Sequence, residues 1–145
     1  MKNPKIITEP EEIRDIKAGG KHRLMLLAKD TDGDVFIEDV TGKPGGGVPL
    51  HMHSLEDELF IIHKGEVTFT VGTEEYVVHA GAIVYGPAGV AHGIKFTGTE
   101  EAHFTTIVIP GRNFEGFVND TSNLDPKEGP QARKDIATKY GITTY

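Results

Sequence analysis

From Lys21 to Pro110 the chain reads as short apolar runs cut by turn-forming residues. HRLMLLAKD is followed by the turn TDGD, then VFIEDV and the glycine-rich TGKPGGGVP. LHMH, DELFIIH and EVTFTV come next, with a Lys64–Gly65 turn between the last two. A Gly72–Glu75 turn leads to YVVHA, and a Gly81 turn to AIVYGPAG. HGIKF, the turn TGTEE and AHFTTIVIP complete the series. Where alternation is clean, it has a period of two: Val67, Phe69 and Val71 fall on one face of a strand, Thr68 and Thr70 on the other. Turns at this spacing predict an all-β sandwich or barrel rather than a parallel α/β sheet.

Beyond Pro110 the period changes. Phe114, Phe117 and Val118 are spaced as on a helix, and PQARKDIATKY predicts a second helix with Pro130 near its start and Gly141 just past its end. Both read as amphipathic elements that cover a core. The expectation is one domain over 1–145, with the barrel at about 21–110 and a helical segment at about 112–141.

Composition narrows the chemistry. The chain has no cysteine, which removes thiolate ligands, cysteine nucleophiles and disulfides. The formal charge is −7 and the 15 Lys and Arg are scattered, so no basic stripe marks a nucleic-acid partner. No apolar run reaches the length of a signal peptide or a membrane span. A soluble, cytoplasmic protein without membrane or nucleic-acid partners is expected.

The histidines carry the chemical signal. His51 and His53 are two apart, and on a strand both imidazoles project from one face. Glu58 opens the next apolar run and His92 a later one. Three imidazoles and a carboxylate suit one divalent first-row metal: iron, manganese, nickel, copper or zinc. His22, His63, His79 and His103 lack the spacing, and His63 belongs on the face opposite Glu58. Glu56 and Asp57 read as solvated. Candidates for an apolar pocket wall are Phe60, Ile62, Phe69, Tyr85, Ile94, Phe96 and Phe104; each is also a natural core residue.

The punctuation around these residues is specific. Gly45, five residues, His51, one residue, His53, four residues, Glu58, six residues and Gly65 form one pattern. Gly81, five residues, Pro87, one residue, Gly89, two residues and His92 form another. Together they resemble the two signature motifs of the cupin superfamily at every fixed position, and the flanking segments are similar to quercetinase-like single-domain cupins. The second motif often closes with Asn four residues after its His, where this chain has Phe96.

The resemblance implies a double-stranded β-helix, the cupin or jelly-roll barrel, with short C-terminal helices and often a homodimer. It implies His51, His53, Glu58 and His92 as metal ligands, and a dioxygenase acting on a small aromatic or flavonol-like enol. Glu58 is then the catalytic residue as well as a ligand, accepting the substrate's proton. The same ligands also suit a non-redox isomerase, lyase or decarboxylase, or a small-molecule-binding cupin without catalysis.

Overall fold

A computed structural model describes residues 2–16 and 19–145. Eleven strands form among them: β1 (Glu12–Ile16), β2 (Gly20–Leu26), β3 (Phe36–Gly42), β4 (Gly47–His53), β5 (Asp57–Lys64), β6 (Glu66–Val71), β7 (Glu74–Val78), β8 (Ile83–Gly86), β9 (His92–Thr97), β10 (Ala102–Ile109) and β11 (Ile142–Thr144). Two helices, α1 (Arg112–Ser122) and α2 (Pro130–Lys139), precede β11. The strands make two sheets, ordered β1-β2-β3-β10-β5-β8 and β11-β4-β9-β6-β7, with antiparallel pairing throughout. No helix among the described residues is long and apolar enough to cross a membrane.

Two outer strands were not anticipated. β1 lies in EIRDI, where charges interrupt the apolar pattern, and it forms because β2 offers it an edge. β11 is only three residues long and pairs with β4 after the chain leaves α2 through Gly141 at φ 74°. The run HRLMLLAKD also ends early as a strand. Ala28–Thr31 is a short 3₁₀ turn, closed by Asp32 in the left-handed region and tied to α1 through Ala28 N–H donating to Glu115 Oε2 at 2.6 Å.

The period of two sorts side chains into inside and outside. Val67 and Phe69 of β6, Phe60 and Ile62 of β5, Ile94 and Phe96 of β9 and Phe104 of β10 point between the sheets and form the larger core cluster. A second cluster, built from Leu24, Leu27, Phe36, Val108, Phe114 and Val118, closes one end beneath α1. Phe36 and Phe114 meet edge-to-face with centroids 5.2 Å apart, one of the arrangements that aromatic quadrupoles favour.

Phe96 is packed inside the barrel over Gly42 of β3. A Cβ on Gly42 would lie 2.1 Å from the Phe96 ring. The large ring on one sheet therefore requires a bare backbone on the other. Gly42→Ala is expected to destabilise the fold by about 1–3 kcal/mol through overpacking, read as a lower midpoint in chemical denaturation with an unchanged slope.

Candidate metal centre

His51, His53 and His92 come from the five-stranded sheet, and Glu58 from the sheet facing it. His51 pairs directly with His92 across the β4–β9 ladder, and His53 follows two residues on. The ladder is irregular just before them. Val48 pairs with Ile94 and His51 with His92, so Pro49 and Leu50 together face Gly93 alone. A regular strand would send residues three apart to opposite faces; this bulge lets both Val48 and His51 point inward. Proline has no N–H to lose from the ladder at such a place.

The donor atoms of all four residues lie within 4.8 Å of one another. His92 Nε2 approaches Glu58 Oε2 to 2.6 Å and His53 Nε2 approaches it to 3.4 Å. These three atoms are buried without an aligned hydrogen bond. Leaving a buried polar group without a partner costs about 1–3 kcal/mol, and several converging on one point define a site that a cation would satisfy. The donors present, three imidazole nitrogens and a carboxylate, fit a borderline divalent ion. The group is able to bind a metal.

The apolar clusters sandwich this polar layer. Phe60 stands edge-on to His92 at 5.8 Å, and Phe114 lies 5.8 Å from His53 on the other side. Gly86, opposite Glu58 on β8, leaves room for the His92 ring; a Cβ there would stand 3.3 Å from Nδ1. β11 backs the ligand strand, with Ile142 paired to His53 and the Ser54 N–H and hydroxyl both donating to the Gly141 carbonyl.

Glu56 is the residue that the sequence reading missed. It is 1% exposed rather than solvated, and its Oε2 lies 3.2 Å from His53 Nδ1. That contact places the proton on Nδ1 and leaves the Nε2 lone pair facing the centre, as outer carboxylates do for metal-binding histidines. Its spacing, three residues after His53 in the β4–β5 turn, is the only sequence signal, and a charged residue in a turn ordinarily reads as exposed. His51 is set in the same sense by a backbone group: Nδ1 lies 2.8 Å from the Pro49 carbonyl oxygen.

Electrostatics separate the ligands. Burial, reinforced by the neighbouring His92, pulls His51 down to about 4, so its ring is neutral at neutral pH. Burial also works against a charged His53, but the Glu56 hydrogen bond and the Glu58 charge outweigh it and raise that group. For Glu58, burial favours the acid; the contact with His92 and the electrostatic influence of the neighbouring imidazoles prevail and hold the carboxyl below its ordinary value.

The other expected residues fall into place by their strand parity. Ile62, Phe69, Ile94, Phe96 and Phe104 point inward and pack among themselves deeper in the barrel, while Phe60 alone of that group reaches a ligand ring. Tyr85 was named as a wall candidate, but it projects from the outer face of β8 and is 53% exposed, because Val84 and Gly86 take the inward positions. Its hydroxyl donates to Asp57. His63 is outside, opposite Glu58.

The cupin domain family model matches residues 39–109, which contain all four ligand candidates. The chain is 32% identical over 106 residues to an oxalate-binding protein of Thermotoga maritima, covering 69% of this chain and 86% of that protein. It is 26% identical over 129 residues to quercetin 2,3-dioxygenase of Bacillus subtilis, covering 87% of this chain but only 36% of that enzyme's length. In structure it is similar to KdgF from Halomonas sp., with a TM-score of 0.64, 15% identity, and coverage of 72% of this chain and 91% of the other. This chain belongs to the cupin family, and its fold is the double-stranded β-helix.

Two outcomes follow from the geometry. Glu56→Gln is expected to weaken metal affinity about 10- to 100-fold by loosening the hold on His53, measured by competition with a chromophoric chelator. In metal-free protein, NMR titration of His51 should give a midpoint near 4, against 6.5 for an ordinary histidine. As acid is added the unfolded chain takes up this proton first, so the His51 contribution to stability is complete above about 6.5 and is lost as pH falls toward 4.

Proposed function

We propose that this cupin binds one divalent transition metal through His51, His53, Glu58 and His92 and is a dioxygenase for a small aromatic or flavonol-like enol. The observation that carries the reading is the four-donor cluster, three of its residues buried with unsatisfied atoms, walled by Phe60 and Phe114. Similarity to a quercetin 2,3-dioxygenase supports the choice of reaction. When bound, the metal would supply Lewis acidity and a meeting point for substrate oxygen and O2.

The chain's own residues do the rest. Glu56 and the Pro49 carbonyl hold His53 and His51 in the tautomers that present Nε2 inward. Glu58, ionised and beside His92 Nε2, would take the proton of an enol hydroxyl and pass it on later. Phe60 and Phe114 offer apolar surface to an aromatic ring and exclude water from the reacting atoms. The homodimer implied by the family resemblance and the cytoplasmic location expected from the sequence belong to the same proposal, and the mass of the protein in solution tests the first.

A second reading is favoured by the relative in Thermotoga maritima, which matches over most of its own length. On that reading a metal held by the same donors would bind a small oxalate-like dianion without turning it over.

Elemental analysis of gently purified protein, paired with an oxygen electrode, decides between them. About one equivalent of a redox metal in the barrel and oxygen consumption on adding a flavonol are expected. Glu58→Gln should lower turnover per bound metal by about 100-fold or more. Calorimetric binding of oxalate with no uptake for any flavonol or simple enol would replace the first reading with the second.

A further inference from the structure

Outside the barrel, on the face of the six-stranded sheet turned away from the core, three side chains with ligand chemistry meet: Asp39 of β3, His63 of β5 and His103 of β10. β10 runs between the other two strands, so the cluster spans three adjacent strands. Its donor atoms lie within 4.8 Å of one another. His103 Nε2 is 3.6 Å from Asp39 Oδ2, and the two imidazole rings have centroids 4.8 Å apart.

The backbone is shaped to make this meeting. Phe104 pairs with Ile62, but His103 pairs with Lys64, so His63 is an extra residue in β5 with no partner of its own on β10. The shift leaves His63 on the outer face that strand parity assigns it, where it meets Thr105 and His103. The Thr105 hydroxyl donates to Asp39 Oδ1 at 2.6 Å and therefore accepts from His63 Nε2–H, also at 2.6 Å. Asp39 is thus fixed through one oxygen while the other faces His103. Hydrogen bonding of this kind orients ligating carboxylates.

We propose that Asp39, His63 and His103 form a second, surface site for a divalent transition ion, zinc by preference, independent of the barrel centre. Two imidazoles and a carboxylate select a borderline ion over magnesium or calcium. A tetrahedral ion with bonds of about 2.0–2.1 Å holds its donors roughly 3.4 Å apart, so small side-chain rotations close the cluster. His63 would exchange its hydrogen bond to Thr105 for the ion, Thr105 would keep its bond to Asp39, and water would fill the fourth position. Bound there, the ion ties β3, β5 and β10 together at the surface.

The test is zinc content after equilibrium dialysis against micromolar zinc, measured by mass spectrometry on wild type and on His63→Ala with His103→Ala. Both substituted residues face solvent, and circular dichroism checks that the variant is folded. The variant is expected to hold one equivalent fewer than wild type. Equal zinc content in the two proteins overturns the proposal. Failure of the barrel centre to take zinc lowers both proteins alike and leaves their difference intact, so the two sites are judged separately. Asp39→Asn, which keeps the side chain's shape, should also lower the zinc held at this site.

Discussion

The structure depends on the burial of polar donors between two apolar layers. Three imidazoles and two carboxylates sit where Phe60 and its cluster meet Phe114 and its cluster. Two of the imidazoles are fixed from behind, His51 by a backbone carbonyl and His53 by Glu56, while Glu58 sits near the start of β5. The unsatisfied atoms include His53 Nε2, His92 Nε2 and Glu58 Oε2, which face the centre. An apolar barrel that keeps such groups has its stability and its chemistry tied to the same few atoms, since removing one leaves the others without water or partner.

The two sheets divide the work of making this arrangement. The five-stranded sheet delivers the three histidines of the site, and the facing sheet delivers the glutamate. The site therefore exists only when the sheets are packed together. α1 closes the end of the barrel near it, and Phe114 serves both as a core residue and as a wall for His53. Gly42 and Gly86 show the complementary device: a missing side chain on one sheet makes room for Phe96 or His92 on the other.

Much of this was legible in the sequence because strands convert spacing into facing. The i, i+2 relation of His51 and His53, the alternation through Val67, Phe69 and Val71, and the glycine-punctuated motifs all follow from a two-residue period. What stayed hidden depends on contacts between distant segments. Glu56 reads as a turn residue until β4 and β5 enclose it. β1 and β11 have weak patterns of their own and form because β2 and β4 offer free edges. Tyr85 looked like a wall residue because aromatic character alone does not say which side of a strand faces in. Asp39, His63 and His103 come from three strands far apart in sequence, so no local pattern announces their gathering.

The pairing of β11 with β4 has a practical consequence. Residues 142–144 run alongside His51, Met52 and His53, so anything attached just beyond Tyr145 hangs from the strand that braces two ligand positions. A purification handle or surface tether there pulls on the scaffolding of the candidate metal centre. One placed ahead of β1 hangs from the outer edge of the other sheet, three strands from Glu58's neighbour β10. The choice of attachment end is thus a choice about how much load the histidines carry.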